Sequence, residues 1–96
     1  ASDVYKRQEL AYAKDNATTL AGNFAVKEAV SKVFGTGFFG VEPYEIEVLR
    51  NESGAPYVKL YGKAKEIAKD KQVSRIHVSI TNTREFAQAF AIGECV

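Results

Sequence analysis

Glu28 and Lys32 are the two residues whose types and spacing could do chemistry together in this sequence. They stand four positions apart within residues 20–37, so a helix would place them on the same side. A carboxylate can hold Mg²⁺ while a neighbouring ammonium group holds phosphate oxygens. The same spacing is typical of a surface salt bridge worth only about 0.2–0.5 kcal/mol, and spacing alone favours this plainer interpretation. One carboxylate is a poor magnesium site, so a second ligand would have to come from elsewhere.

Other candidate sites in the sequence are weaker. The loop of Gly35, Thr36 and Gly37 puts a flexible backbone corner after the charged pair, but it lacks the lysine and the spacing of a P-loop. A helix C-cap would also explain these glycines. His77, the single histidine, is predicted in mid-strand, and no serine and acid can be arranged around it as a catalytic triad. No cluster has the spacing of a zinc site.

Composition limits the classes of function. A chain of 96 residues forms one domain at most, and its 46% apolar and 11% aromatic content argues against disorder. The net charge of +1 gives no bulk attraction to nucleic acid or membrane, so we expect neither partner and any anion site must be local. No apolar run approaches the roughly 20 residues of a spanning helix. A single cysteine, Cys95, indicates a reducing, cytoplasmic setting.

The charged pair is predicted to lie on an amphipathic helix. An apolar stripe at helical spacing is typical of a buried helix face and comprises Phe24, Val26, Val30, Val33 and Phe34. A second stripe, on another side, comprises Ala21, Ala25, Glu28 and Lys32. Thr18 or Thr19 is expected to cap the start of the helix, and Gly35 to end it with a positive φ.

The remaining patterns predict an α+β fold in which helices pack on a small antiparallel sheet. Residues 8–14 form a short helix with Leu10 and Ala13 facing inward. Residues 44–50 and 55–61 alternate around the turn 51–54, and residues 75–81 and 86–93 form a second hairpin. Between the hairpins, residues 62–71 form a basic helix. Residues 1–7 show no period and are interpreted as an irregular or foreign segment before the domain at 8–96.

Four blocks, taken in order, resemble a known family: FAVKEAVSK, the GTG that follows, the hairpin IEVLRNESGAPYV and the strand and turn HVSITNT. The chain resembles the holo-[acyl-carrier-protein] synthases, small bacterial 4′-phosphopantetheinyl transferases, over residues 8–94. The resemblance implies that fold and a reaction. The phosphopantetheine arm of coenzyme A passes to a serine of an apo acyl carrier protein, with release of adenosine 3′,5′-bisphosphate.

The resemblance also implies roles for individual residues. Glu28 matches the family's magnesium ligand, and Lys32 matches the lysine that meets the pyrophosphate and assists proton transfer. Further contacts to the coenzyme are implied for Gly35, Thr36, Gly37, Ser79, Asn82, Thr83 and, with looser alignment, Lys14. The attacking serine belongs to the carrier protein, so the chain needs no nucleophile of its own. The family usually forms homotrimers with active sites between subunits, and the apolar last strand is consistent with that.

Three departures from the family pattern concern charge. The family's second metal-binding aspartate lies in a glycine-containing strand near the N-terminus, and neither Asp3 nor Asp15 has that context. The domain is therefore predicted to be N-terminally truncated, which leaves its own activity open. Asn82 and Asn23 replace commoner histidine and arginine, removing two cations expected near the nucleotide. The alternatives are a non-catalytic coenzyme A-binding or assembly module and a purely structural domain in which Glu28 and Lys32 form a surface pair.

Overall fold

The structure, a computed structural model, describes residues 4–14, 16–35, 40–83 and 86–95. The helices are α1 (Arg7–Ala13), α2 (Ala17–Val33) and α3 (Gly62–Asp70), with a short 3-10 turn at Pro43–Glu45. The strands are β1 (Ile46–Arg50), β2 (Pro56–Leu60), β3 (Val73–Asn82) and β4 (Ala87–Cys95). β1 pairs with β2 and β3 with β4, both antiparallel, which gives two small two-stranded sheets. The predicted α+β class and both hairpins are confirmed.

The second hairpin has the alternation that its sequence predicts. Ile76, Val78 and Ile80 are half-buried and face the core, while His77 and Ser79 are exposed. Both strands of this hairpin are longer than predicted, because pairing continues to Val73↔Cys95 at one end and Asn82↔Ala87 at the other. The result is a long two-stranded platform that α2 crosses.

The core takes side chains from α2, from α3, from β1 and from the segment before it. Its buried apolar members are Val26, Val30, Phe34, Val41, Ile46, Val48, Ala64 and Ala68. Half-buried residues of β3 and β4 pack against this cluster and extend it beneath α2. The predicted stripe is confirmed at Val26, Val30 and Phe34, whereas Phe24 is exposed and Val33 is half-buried.

A buried ion pair between Glu9 and Lys27 joins the elements around that core. Neither side chain is exposed, and the Nζ of Lys27 lies 2.9 Å from the Oε2 of Glu9. The same carboxylate accepts from the backbone N–H of Val48 at 3.1 Å. The ammonium group also donates to the carbonyl oxygens of Pro43, at 3.1 Å, and Ile46. Burial lowers the pKa of Lys27, and the Glu9 carboxylate opposes that shift.

The observed starts of α1 and α2 differ from the predicted ones. α1 begins at Arg7, and it buries Glu9 with Ala13, one turn apart, while Leu10 is exposed. α2 is capped by Asn16, whose Oδ1 accepts from the N–H of Thr19 at 3.1 Å, so the prediction of a Thr18 or Thr19 cap is wrong. Asparagine caps well because its side-chain oxygen reaches a free N–H of the first turn.

The strands of the first hairpin are shorter than predicted, because Tyr44 and Glu45 belong to the 3-10 turn and β2 spans Pro56–Leu60 only. Gly35 follows α2 with φ of 77°, as expected for a helix C-terminus, and α3 is one residue shorter than predicted. The hydroxyl of Tyr5 donates to the carbonyl of Leu20 at 2.9 Å, so residues placed before the domain boundary contact the helices; the boundary itself stays a prediction. Among the described residues, no helix has both the length and the apolarity needed to cross a bilayer.

Candidate active site

A groove of about 850 Å³ runs between α2 and β4, and we call it the α2–β4 groove. Its volume is in the range of small-molecule sites. One wall is α2, with Ala21, Phe24, Ala25, Glu28, Ala29, Lys32 and Val33; the other is β4, with Ala87, Gln88, Ala89, Phe90 and Ala91. Half of these lining residues are alanine, and among the described residues Glu28 and Lys32 are the ionisable side chains that line the walls.

The second stripe of α2 forms this wall because steps of three and four residues return to the same side of a helix. Ala21, Ala25, Glu28 and Lys32 all line the groove, as their spacing predicts. The sequence thus places the charged pair on the side of α2 that faces β4.

Glu28 and Lys32 are paired loosely. Lys32 Nζ lies 3.4 Å from Glu28 Oε1, and the side chains are 71% and 50% exposed respectively. An exposed pair at this distance contributes little, about 0–1 kcal/mol. Both charged groups are thus accessible to a ligand in the groove. This geometry is compatible with a surface salt bridge and equally with a site that binds an anion.

The other residues implied by resemblance lie outside the groove lining or outside the described part of the chain. Gly35 is exposed just beyond α2, and its N–H donates to Lys32 at 2.9 Å; Thr36 and Gly37 fall outside the described residues. Ser79 is exposed on β3. Lys14 is exposed at the end of α1 with φ of 48°, and it does not line the groove.

Asn82 and Thr83 lie where β3 ends. Thr83 closes the turn, since its N–H donates to the carbonyl of Phe86 at 2.8 Å and its Oγ1 accepts from the N–H of Phe86 at 3.0 Å. The side chain of Asn82 packs against Gly22 of α2, next to Ala21 at one end of the groove. The end of β3 at Asn82 therefore lies beside the helix that carries the charged pair.

Asn23 lies on the core side of α2. Its side chain is 1% exposed, and its Oδ1 accepts from Nη2 of Arg50 at 2.8 Å on the core side of α2. The lack of a cation near the nucleotide stays a prediction from resemblance, but the Asn23 side chain belongs to the buried face of α2. The spacing of Asn23, Val26, Lys27 and Val30 along one helix face could have revealed this.

The metal ligands that the groove offers fit Mg²⁺ only if a substrate supplies further ligands. Among the described residues, no three His, Cys, Asp or Glu side chains come together as a metal cluster. Mg²⁺ is commonly held by one or two carboxylates together with substrate phosphates and water. Glu28 can supply the one carboxylate, so the groove fits a magnesium ion that arrives with a phosphate-bearing substrate.

Comparison with known proteins identifies the family. The model of the 4′-phosphopantetheinyl transferase superfamily matches residues 1–93. The holo-[acyl-carrier-protein] synthase of Lachnoclostridium phytofermentans is 54% identical over 93 residues, covering 97% of this chain and 76% of that protein. That of Halothermothrix orenii is 44% identical, covering 95% and 75%. The chain belongs to the 4′-phosphopantetheinyl transferase superfamily.

Solved structures agree in fold. The Helicobacter pylori holo-[acyl-carrier-protein] synthase in complex with coenzyme A matches with a TM-score of 0.87 and 26% identity, covering 97% of this chain and 79% of that one. The Neisseria meningitidis holo-[acyl-carrier-protein] synthase matches with a TM-score of 0.86 and 26% identity, covering 98% and 78%. The described helices and hairpins therefore have the arrangement of this family.

Proposed function

We propose that this chain transfers 4′-phosphopantetheine from coenzyme A to a serine of an apo acyl carrier protein, releasing adenosine 3′,5′-bisphosphate. The 54% identity to a holo-[acyl-carrier-protein] synthase over nearly the whole chain supports this activity. The observation that carries the proposal is the placement of Glu28 and Lys32 side by side on one wall of a ligand-sized groove. These are the two residues for which the family pattern implies catalytic roles.

The reaction places specific demands on the chain. The serine oxygen forms a bond to the phosphorus on the pantetheine side of the coenzyme A pyrophosphate. That phosphorus loses its bond to the bridging oxygen, which leaves with the bisphosphate, and the serine proton passes to water or to a phosphate oxygen of the departing bisphosphate. Catalysis of this kind depends mainly on positioning and on neutralising charge at the phosphates. The exposed ammonium group of Lys32 can meet the pyrophosphate and assist the proton's transfer.

Glu28 is the proposed protein ligand for Mg²⁺. When bound, Mg²⁺ would neutralise charge on the phosphate oxygens. Glu28 would hold it on the α2 wall, one helical turn from the ammonium group of Lys32. Gly35, Ser79, Asn82, Thr83 and Lys14 remain proposed contacts to the coenzyme, as do Thr36 and Gly37.

We also propose that the chain works as a homotrimer in the cytoplasm. Phe86, Phe90 and Ile92 are 68%, 69% and 65% exposed, which is unusual for large apolar side chains so close together. A further copy of the chain would cover them. The cytoplasmic location follows from the proposed substrates and from the reducing environment that a lone Cys95 indicates.

One observation favours a second candidate, a coenzyme A-binding or assembly module without catalysis. Among the described residues that line the α2–β4 groove, Glu28 is the one carboxylate. Without a further metal ligand, a module of this kind could bind the coenzyme and leave it intact.

A single assay separates the two candidates. The chain is incubated with coenzyme A, Mg²⁺ and an apo carrier protein, and the mass of the carrier is followed. We expect a gain of one phosphopantetheine group that depends on added Mg²⁺. Coenzyme A binding by calorimetry with no change in carrier mass would overturn the transferase and support the binding module.

A further inference from the structure

Two glycines lie where α2 rests on the β3–β4 hairpin. Gly22 is in α2 and Gly93 is in β4. Among the described residues, the glycines with positive φ are Gly35, Gly54 and Gly62. Backbone conformation therefore does not require glycine at either position. Glycine weakens helices and strand interiors, so its presence in both elements calls for another reason. The reason is space.

The surroundings of Gly93 leave no room for a side chain. A Cβ at this position would lie 2.7 Å from Cγ1 of Val33, the last residue of α2, and 3.3 Å from Cγ1 of Val73 on β3. Ordinary contacts between such carbon atoms are about 3.5–4.0 Å. A methyl group here would therefore push the last turn of α2 away from β4 by about 1 Å. That turn carries Lys32, and Val33 itself lines the α2–β4 groove.

Gly22 holds the other end of the helix in the same way, with slightly more room. A Cβ at Gly22 would lie 3.2 Å from Cγ2 of Ile80 and 3.3 Å from Oδ1 of Asn82. These neighbours would have to give by a few tenths of an ångström. Glu28 lies between Gly22 and Val33, the two points of close contact. At each end of the segment that bears the charged pair, a glycine thus lets α2 approach the hairpin closely.

We propose that Gly22 and Gly93 are positioning residues, which set the distance between α2 and the β3–β4 hairpin. This distance fixes the width of the α2–β4 groove, in which Glu28 and Lys32 would contact coenzyme A. This inference rests on the proposed transferase function. Neither glycine touches the reacting atoms. A changed separation would move Glu28 and Lys32 away from the phosphates of coenzyme A, and the coenzyme would bind more weakly because contacts to charged groups depend on distance.

The test uses a compensating pair. Gly93→Ala adds a methyl group against Val33, and Val33→Ala removes the methyl carbon that it would meet. We expect Gly93→Ala to raise KM for coenzyme A by about tenfold or more, as for the loss of one hydrogen bond to a charged group, with KM for the carrier protein unchanged. The double variant Gly93→Ala/Val33→Ala should regain most of the loss, and Gly22→Ala should show a smaller loss than Gly93→Ala.

Stability is measured alongside, so that a purely structural effect can be recognised. Partial unfolding would lower kcat in proportion to the unfolded fraction and leave KM for coenzyme A unchanged, and that pattern would overturn the proposal. A folded Gly93→Ala variant with wild-type KM, or a double variant that is no better than Gly93→Ala, would also overturn it. If Gly93→Ala fails to fold, Gly22→Ala and the double variant carry the same comparison.

Failure of the proposed role of the glycines can be distinguished from failure of the proposed transferase activity. If the wild-type chain does not modify the carrier, the transferase proposal fails, and the dissociation constant for coenzyme A then replaces KM. The expected order is unchanged: Gly93→Ala binds coenzyme A most weakly, and the double variant approaches the wild type. Equal affinity in all three chains would reject the role of the glycines whether or not the wild type is an enzyme.

Discussion

Lys27 and Glu28 are neighbours in sequence, yet they meet different environments on α2. Lys27 is fully buried and makes an ion pair with Glu9, while Glu28 is half exposed on the wall of the α2–β4 groove. A buried charge that has all of its partners within the protein is unavailable to a substrate. An exposed charge whose partner among the described residues lies at 3.4 Å is available to a substrate. At the scale of residues, Lys27 therefore belongs to the folded framework, whereas Glu28 belongs to the proposed active site.

Tyr61 gives a pH dependence that belongs to one residue. Its hydroxyl donates to Oε1 of Glu47, a buried carboxylate, at 2.7 Å. This hydrogen bond, with some burial, raises the pKa of Tyr61 from 10.0 to about 12. Because the neutral phenol is favoured in the folded chain, its contribution to stability is complete below pH 10 and is lost as the pH rises towards about 12.

We therefore expect Tyr61→Phe to unfold more easily than wild type at pH 7, by about 1–3 kcal/mol, since the Glu47 carboxylate loses a donor. The difference should shrink as the pH rises from 10 to about 12. Urea unfolding at several pH values measures it, with Tyr57→Phe, at an exposed position of β2, as the control. A difference between wild type and Tyr61→Phe that is constant with pH would contradict this account.

At the scale of elements, Glu9 and Lys27 tie α1, α2 and β1 into one frame. Removing one partner of a buried pair leaves an uncompensated charge, which typically costs about 3–5 kcal/mol. We expect that loss for Lys27→Met in urea unfolding, whereas Lys32→Met at the exposed pair should change stability by less than about 1 kcal/mol. The double variant Glu9→Leu/Lys27→Met should lose less than the sum of its two single changes.

Equal losses for Lys27→Met and Lys32→Met would show that the buried pair has no special part in the frame. Additive single losses in the double variant would show that Glu9 and Lys27 do not act as a unit. Both results are measurable without any assumption about the reaction.

The sequence predicts elements better than it predicts contacts between them. Apolar spacing found α2, and turn residues such as Asn51 and Gly54 found the first hairpin, because these signals lie within a few residues of each other. The partnership of Glu9 with Lys27 joins residues 18 positions apart, and spacing cannot predict it. Lys27 nevertheless lies beside Val26 and Val30 on the buried face of α2, and a charge there could have been read as needing a buried partner.

The proposed site was predictable only in part, for a related reason. Spacing placed Glu28 and Lys32 on one side of a helix but could not supply β4, the other wall of the groove. Resemblance to the family supplied the proposed roles. It did not predict that Asn23 would face the core with Arg50, because family motifs carry residue positions rather than side-chain directions.

At the scale of the whole molecule, the exposed apolar side chains of the last hairpin predict self-association. A chain of this size buries only about 60–65% of its unfolded surface, so a shared interface adds burial that it otherwise lacks. We expect sedimentation to show a trimer for the wild type and a monomer for Ile92→Lys. Tyr57→Lys, at an exposed position of β2, should remain a trimer. A monomeric wild type, or a trimeric Ile92→Lys, would contradict the assembly.

The central claim is that Glu28, on the wall of the α2–β4 groove, takes part in phosphopantetheine transfer. The most direct measurement is the rate at which an apo carrier protein gains mass from coenzyme A with the wild-type chain, Glu28→Gln and the control Glu66→Gln, an exposed carboxylate on α3. We predict that Glu28→Gln slows the transfer by about 10²–10³-fold, as expected for loss of one electrostatic contact to the transition state. Glu66→Gln should match the wild type. Equal rates for all three chains would contradict the proposed site.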